Sequence, residues 1–303
     1  MNLWQQRERA QSILAKETGF VTKPHADRLR VALAFPNTYW VGMSNLGFQT
    51  VYRLLNAEKD LVCERFFLPP KQELAEMVAA NVPPLTLESQ TPVGEFDVIA
   101  FSVSFEWDYV NVLTLLRMAG VPRYAAERTT RHPLVVIGGA ITFVNPEPLA
   151  PFADVIAAGE GEELVPALAA AFRAATSRED LLSQLAHQRG FYVPSFYEPQ
   201  YGDNGSLTGY ALTPGREGSL PVRKAAVKTT DALDPPATSI FTPDTEFGAR
   251  TYPMEGGIQR HAWFQGPRSA AGQPRPIGAR AADTDEARRR AKLCASKVRP
   301  RLP

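Results

Sequence analysis

The sequence is poor in cysteine and histidine. It contains two cysteines in 303 residues, Cys63 and Cys294, and four histidines that are scattered along the chain. Two distant thiols exclude a disulfide framework and a four-cysteine metal site built by this chain alone. The histidines form no pair at the spacing of metal ligands. We therefore predict no metal site and no catalytic residue from the side chains of this chain.

Long apolar runs are also missing. No stretch of eighteen apolar residues occurs, and the first ten residues lack the charged-then-apolar pattern of a signal peptide. The sequence therefore predicts a protein without a membrane segment, in the cytoplasm.

Several catalytic motifs are absent as well. No G-x-G-x-x-G stretch is followed by a suitable acidic strand end, and no phosphate-binding loop with its lysine occurs. Ser102 and Ser104 do not lie in a G-x-S-x-G turn. These absences argue against common nucleotide-dependent enzymes and against serine hydrolases.

The charge is divided unevenly along the chain. Residues 256–303 contain 11 Lys/Arg and 3 Asp/Glu, whereas residues 1–255 contain 22 and 29. Val, Ile, Leu and Met number only five in this basic tail, too few for a core, so we predict that it is disordered. Aromatic residues in the tail are limited to Trp263 and Phe264, and no recognition motif accompanies them, so nucleic-acid binding is disfavoured.

What the sequence does contain is an alternation of short apolar runs and helical patterns. The run Val31–Phe35 is typical of a central parallel strand, and similar runs follow at 63–68, 97–104, 134–139 and 153–157. This alternation predicts an α/β fold, with a doubly wound parallel sheet over residues 30–176. An amphipathic helix over residues 1–20, with Leu3 and Trp4 on its apolar side, belongs to an N-terminal segment 1–29.

Smaller elements are predicted between and after these strands. A helix over 72–80 would turn Met77 and Val78 inward, and residues 85–89 suggest a short strand. Asp108 stands where a helix cap belongs. Residues 177–230 read as a small β-rich α/β extension in which Asn204-Gly205 forms a hairpin turn with positive φ angles, and residues 232–243 resemble a connector.

Polar and glycine residues follow the predicted strands. Carboxyl ends of parallel strands share one edge of the sheet, where such folds bind ligands. Glycine pairs there could admit a ligand or simply form tight turns, and acidic residues could contact a ligand or cap a helix. The predicted cofactor-binding residues at this edge are Met43, Ser44, Asn45, Gly47, Ser104, Glu106, Gly138, Gly139, Gly159, Glu160 and Gly161.

Five motifs together carry a family resemblance. They are residues 36–48, residues 101–109, Gly138-Gly-Ala with Asn145-Pro-Glu-Pro-Leu149, Gly159-Glu-Gly-Glu-Glu163, and Tyr192-Val-Pro-Ser-Phe-Tyr197. Over residues 1–255 the chain resembles the N-terminal half of radical S-adenosylmethionine (radical SAM) proteins with a cobalamin-binding domain, an uncharacterised group. The resemblance implies a Rossmann-like domain for cobalamin, a linker, and a (β/α) barrel with a [4Fe-4S] cluster that binds S-adenosylmethionine. It also implies, as partners, the barrel and a second domain of unknown function encoded nearby.

The chain departs from that pattern twice. It lacks an Asp-x-His-x-x-Gly motif, which supplies the lower histidine ligand of cobalamin. Residues 251–255 resemble the start of the first barrel strand, within a linker segment 231–255, but no C-x-x-x-C-x-x-C loop follows. The change of composition at Gly256 suggests a shifted reading frame or a truncated gene.

The sequence thus leaves two functions open. The first is the N-terminal module of a radical SAM protein, inactive as encoded because its cluster cysteines are missing. The second is a stand-alone, non-enzymatic module that binds a corrinoid, a nucleotide-like ligand or a protein at the same sheet edge.

Overall fold

The computed structural model describes residues 2–227 and 238–245. The predicted basic tail, the start of the barrel and half of the predicted connector, residues 232–237, lie outside these residues. Within them, no helix is both long enough and apolar enough to cross a membrane.

Helices and strands alternate through most of the described chain. The helices are α1 (Leu3–Leu14), α2 (Tyr39–Met43), α3 (Leu46–Ala57), α4 (Lys71–Ala79), α5 (Tyr109–Met118), α6 (Gly161–Ala174) and α7 (Arg178–Ala186). The strands are β1 (Leu29–Phe35), β2 (Leu61–Phe67), β3 (Val98–Ser102), β4 (Leu134–Gly138), β5 (Val155–Ala157), β6 (Phe191–Tyr192), β7 (Tyr197–Tyr201) and β8 (Leu207–Leu212).

Six strands form one twisted sheet in the order β2-β1-β3-β4-β5-β6. The first five are parallel, and β6 is added antiparallel to β5. The predicted α/β fold with a mainly parallel central sheet is therefore confirmed. The β-rich extension contributes β6 to this sheet, and β7 and β8 form a separate two-stranded sheet.

The alternation of side chains along the strands builds a core on each face of the sheet. On β1, Val31, Leu33 and Phe35 join the core under α3 and α6, whereas Ala32 and Ala34 join the core under α5. A strand that is apolar on both sides can be covered by helices on both sides, which is why β1 lies in the interior of the sheet.

The N-terminal helix is shorter than predicted. It ends at Leu14, and Leu3 and Trp4 are exposed instead of buried. Its Asn2 cap closes a capping box with Gln5. Gly19 has a φ of +98°, and a Cβ atom there would lie 2.2 Å from the carbonyl oxygen of Ser239, because residues 18 and 241 pair as an isolated bridge.

Residues 85–91 cover the outer edge of β2 without forming the predicted strand. Only Leu85 forms a bridge, to Pro92, while the amide of Leu87 donates to the carbonyl of Arg65. On the neighbouring helix α4, Met77 is buried as predicted, but Val78 is exposed.

The predicted hairpin is present as β7 and β8, but its turn differs from the prediction. Gly205 has a φ of +75°, whereas Asn204 has no positive φ. Its side-chain oxygen accepts hydrogen bonds from the amide and the hydroxyl of Ser206.

Candidate functional site

The strand order reverses between β1 and β3. Chain connections leave this point in opposite directions, and open α/β sheets bind ligands in the crevice at the carboxyl ends of the strands at such a switch point. We call the segments that follow β1, β3 and β4 at this edge, residues 36–45, 103–108 and 139–147, the switch-point loops. Eight of the eleven predicted cofactor-binding residues lie in these loops or next to them: Met43, Ser44, Asn45, Gly47, Ser104, Glu106, Gly138 and Gly139.

The loop after β1 is more ordered than the predicted polar loop, because it contains α2. Asn45 caps α3 by accepting a hydrogen bond from the amide of Phe48 at 2.9 Å. Its Nδ2 lies 3.4 Å from the hydroxyl of Ser104, which links the loops after β1 and β3. Met43, in contrast, is fully buried, and its sulfur lies 3.3 Å from a guanidinium nitrogen of Arg65. Met43 therefore belongs to the core beneath the loop after β1.

Asp108 lies between these loops and occupies the N-cap position of α5, as predicted, but its side chain makes no capping hydrogen bond. Its Oδ1 accepts hydrogen bonds from the side-chain amides of Asn37, at 2.9 Å, and Asn111, at 3.2 Å. Asn111 also donates to the carbonyl of Pro36. Asp108 is buried, and its Oδ2 has no hydrogen-bond partner among the described residues. Burial raises the pKa of this carboxyl above its ordinary value.

The glycine pair after β4 serves the packing of the loops. Gly139 has a φ of +96°, and a Cβ atom there would lie 2.6 Å from the carbonyl oxygen of Val103. The glycine thus lets the loops after β3 and β4 approach closely. Ser104 is half-buried beside them, and Glu106 is exposed.

The predicted site residues after β5 contact the protein's own chain. Gly159 has a φ of +141°, and the backbone of Ala225 lies where its Cβ atom would be, at 2.3 Å. The carboxylate of Glu160 accepts a hydrogen bond from the amide of Val227 at 2.6 Å. Gly161 begins α6 and lies against Val51 and Leu54 of α3. Residues 225–227 therefore cover this part of the sheet edge.

The motif after β4 is covered in a similar way. The carboxylate of Glu147 lies near the hydroxyls of Tyr192 and Tyr210, and the ammonium group of Lys224 lies over the ring of Phe143. Burial raises the pKa of Tyr192, and the nearby Glu147 raises it further. The β-rich extension (residues 177–230) thus packs against the carboxyl ends of β4 and β5. The carboxyl ends of β1 and β3 are the more open half of this sheet edge.

Large apolar side chains are concentrated on the switch-point loops and at the start of α5. Trp107 is 79% exposed and Trp40 is 51% exposed. The others that are exposed there are Phe105, Val110, Phe143 and Val144. Contiguous exposed apolar patches mark interaction surfaces, and here the rings of Phe105 and Trp107 lie together, with 6.3 Å between their centroids. The sequence prediction did not single out Trp40, Val110 or Val144, although each follows a buried strand closely.

The described histidines do not lie in the switch-point loops. Nε2 of His25 lies 2.6 Å from the carboxylate of Glu64, His132 contacts Thr129, and His187 follows α7. The described residues therefore provide no histidine for a cobalamin lower ligand at these loops, and histidine-ligated binding does not fit them. No group of three or more metal-binding side chains occurs in residues 2–227 and 238–245 either.

The fold and the loop positions can now be compared with known proteins. Residues 47–194 match the family model described as radical SAM proteins, N-terminal. The matched region runs from the beginning of α3 to just beyond β6 and includes the loops after β3, β4 and β5. This match supports the resemblance of this region to radical SAM proteins. No curated protein matches the chain.

Proposed function

We propose that the chain is the N-terminal module of a radical SAM protein and that, as encoded, it does not cleave S-adenosylmethionine. The observation that carries this proposal is the combination of the family match over residues 47–194 with a total of two cysteines. A [4Fe-4S] cluster that binds S-adenosylmethionine needs three thiolate ligands, which hard oxygen ligands do not replace.

Cys63 is a poor candidate even for one of these ligands. It lies on β2, is fully buried, and burial raises the pKa of its thiol. Its backbone groups are hydrogen-bonded to Asn56, which holds the strand in place. We therefore assign Cys63 to the core.

The iron content of the purified protein tests this proposal. After anaerobic treatment with ferrous iron and sulfide, we expect no more bound iron and sulfide than in a Cys63→Ser, Cys294→Ser variant. We also expect no 5′-deoxyadenosine from S-adenosylmethionine in the presence of a strong reductant. Four irons per chain, or reductant-dependent 5′-deoxyadenosine that the double variant does not form, would contradict the proposal.

Within such a module, we assign the switch-point loops as the face toward the catalytic barrel. The exposed apolar residues Trp40, Phe105 and Trp107 support this assignment. The Asn37, Asp108 and Asn111 network holds the loops in one arrangement before any partner binds. A preformed apolar surface loses less conformational entropy on binding than a disordered one.

A second candidate function is ligand binding by the switch-point loops alone. The crevice position and the half-buried Asn45 and Ser104 side chains favour it. Equilibrium dialysis with hydroxocobalamin tests it: a binding module retains the corrinoid, and a Ser104→Phe variant loses it. The control is Thr208→Phe on the exposed strand β8. If no corrinoid is retained, cobalamin is not the ligand of these loops.

A further inference from the structure

A separate cleft lies beyond the carboxyl ends of β1 and β2, between α1 and α4. Its volume is about 480 Å³. Pockets for small molecules typically measure roughly 300–1,000 Å³. None of the predicted cofactor-binding residues lines it, although Thr38, Tyr39 and Trp40 of the loop after β1 form part of one wall.

The walls of this cleft are largely apolar and aromatic. They are formed by Ile13, Trp40, Phe67, Pro69, Leu85 and Leu87, among others. Tyr39 also lines the cleft, but its hydroxyl donates a 2.6 Å hydrogen bond to Glu17. Glu17 in turn pairs with the buried Arg65 at 2.7 Å. The polar groups at the base are therefore already satisfied, and the base suits a flat apolar ligand.

Charged side chains of both signs line the same cleft. Arg9 and Lys16 of α1 supply the cations, and Glu73 of α4 and Asp244 supply the anions. Arg9 pairs with Glu73, and the ammonium nitrogen of Lys16 lies 3.0 Å from the carboxylate of Asp244. All four are partly exposed, and such pairs contribute only about 0–1 kcal/mol each. The charged groups of a ligand can therefore replace either member of such an ion pair at a small cost in free energy.

We propose that the α1/α4 cleft binds a small aromatic zwitterion. Its carboxylate would pair with Arg9 and its ammonium group with Glu73, the less exposed of the two ion pairs, while the aromatic body lies on the apolar wall. A ligand with one charge only would separate an ion pair and leave one member without a partner. The balanced charges therefore favour a ligand that carries both signs. Trp40 contributes to this cleft and to the surface assigned to the barrel, but the proposal rests on the walls and charges of the cleft and not on the proposed function.

Three matched probes test the charge requirement on the unmodified protein. L-tryptophan carries both charges, tryptamine lacks the carboxylate, and indole-3-propionate lacks the ammonium group. We expect L-tryptophan to bind at least about fivefold more tightly than either analogue, the equivalent of about 1 kcal/mol for one exposed ion pair. Calorimetry measures the affinities, and the methyl NMR signal of Met77, which lines the cleft, locates the ligand.

Variants then assign the charges to residues. In the Arg9→Gln variant, L-tryptophan should no longer bind more tightly than tryptamine. In the Glu73→Gln variant, it should no longer bind more tightly than indole-3-propionate. Arg7→Gln, on the exposed side of the same helix, is the matched control, and in this variant L-tryptophan should still bind more tightly than both analogues. Ala10→Phe should fill the cleft and abolish binding, whereas Ala79→Phe on α4 should not.

Three results would overturn the proposal: equal affinities for the three probes, no shift of the Met77 signal with any of them, or equal losses in the Arg7 and Arg9 variants. The probe series on the unmodified protein decides the question even if a variant fails to fold. Iron and 5′-deoxyadenosine measurements are unaffected by these outcomes, so the two proposals can fail separately.

Discussion

At the scale of single residues, Arg65 is the most heavily engaged side chain in the described structure. It is fully buried, and its guanidinium binds Glu17 through two nitrogens at 2.9 and 2.7 Å and Glu88 through a third at 2.7 Å. It also lies over the ring of Tyr52. A buried charge is tolerated only with such complete pairing.

Replacing Arg65 should therefore be costly. In Arg65→Met, two buried carboxylates lose their partner, and we expect the free energy of unfolding to fall by about 3–5 kcal/mol. Arg30→Met is the control, because the Arg30 pair with Asp97 is partly exposed and should contribute only about 0–1 kcal/mol. Urea unfolding measures both. Equal losses in the two variants would contradict the role assigned to Arg65.

Asp108 should make the stability depend on pH. Its pKa is raised in the folded protein, so the folded state retains the proton to a higher pH than the unfolded state. The free energy of unfolding should then fall as the pH rises from about 3.9, the ordinary value, through the folded pKa. An Asp108→Asn variant keeps an oxygen that can accept from Asn37 and Asn111 but cannot titrate.

We therefore expect the stability of Asp108→Asn, relative to the unmodified protein, to increase across this pH window and then to level off. Urea unfolding at a series of pH values measures the difference. A difference that stays constant with pH would argue against a raised pKa at Asp108.

The roles of Arg65 and Asp108 could not be predicted from the sequence. An arginine on a strand normally lies at the surface, and its partners Glu17 and Glu88 are distant in the chain. Asp108 has the sequence position of a helix cap, and only the approach of Asn37 and Asn111 turns its side chain into the loop network. Glycines and polar residues after strands were predictable because strand ends are visible as apolar runs.

At the scale of secondary-structure elements, the segment 223–227 decides which part of the sheet edge is open. It pairs with Gly159 through Ala225 and binds Glu160 through Val227. The sequence places this segment in the predicted β-rich extension but gives no indication of where it packs. Helix limits and edge segments such as 85–91 were also missed, because they depend on contacts between remote residues.

Gly159→Ala should disturb this segment. The added Cβ atom would clash with Ala225, and the backbone has a positive φ, so we expect a loss of about 1–3 kcal/mol in the free energy of unfolding. The control is Gly209→Ala on β8, where the Cβ atom meets open space and φ is not positive. Chemical denaturation compares the two. A Gly159 variant as stable as the Gly209 variant would show that segment 223–227 does not need the glycine.

At the scale of the whole molecule, the sheet is the common support of both cores. Its parallel strands were predictable, because runs that are apolar on both faces alternate with helices. Their spatial order was not, since a local pattern does not state which strand lies beside which. The reversal between β1 and β3, which opens the crevice, is visible only in the assembled sheet.

This architecture predicts that backbone amides of the central sheet exchange their hydrogens more slowly than those of the β7–β8 hairpin. Amides of β1, β3 and β4, with cores on both sides, should exchange only through global unfolding. Amides of β7 and β8 should exchange much faster, because most side chains of β7 are exposed and the hairpin forms a sheet of its own. Mass spectrometry of peptides covering 98–102 and 207–212 provides the comparison. Similar rates in both peptides would contradict this order.

The covering of β2 by residues 85–91 has a consequence for the behaviour of the protein at high concentration. Unpaired strand edges recruit strands from other molecules and start aggregation. Here the carbonyl of Arg65 is occupied by the amide of Leu87, and the amide of Arg65 is occupied by the carboxylate of Glu88. A foreign strand would have to displace a loop that is fastened by a buried ion pair, so this side of the sheet is protected against intermolecular strand addition.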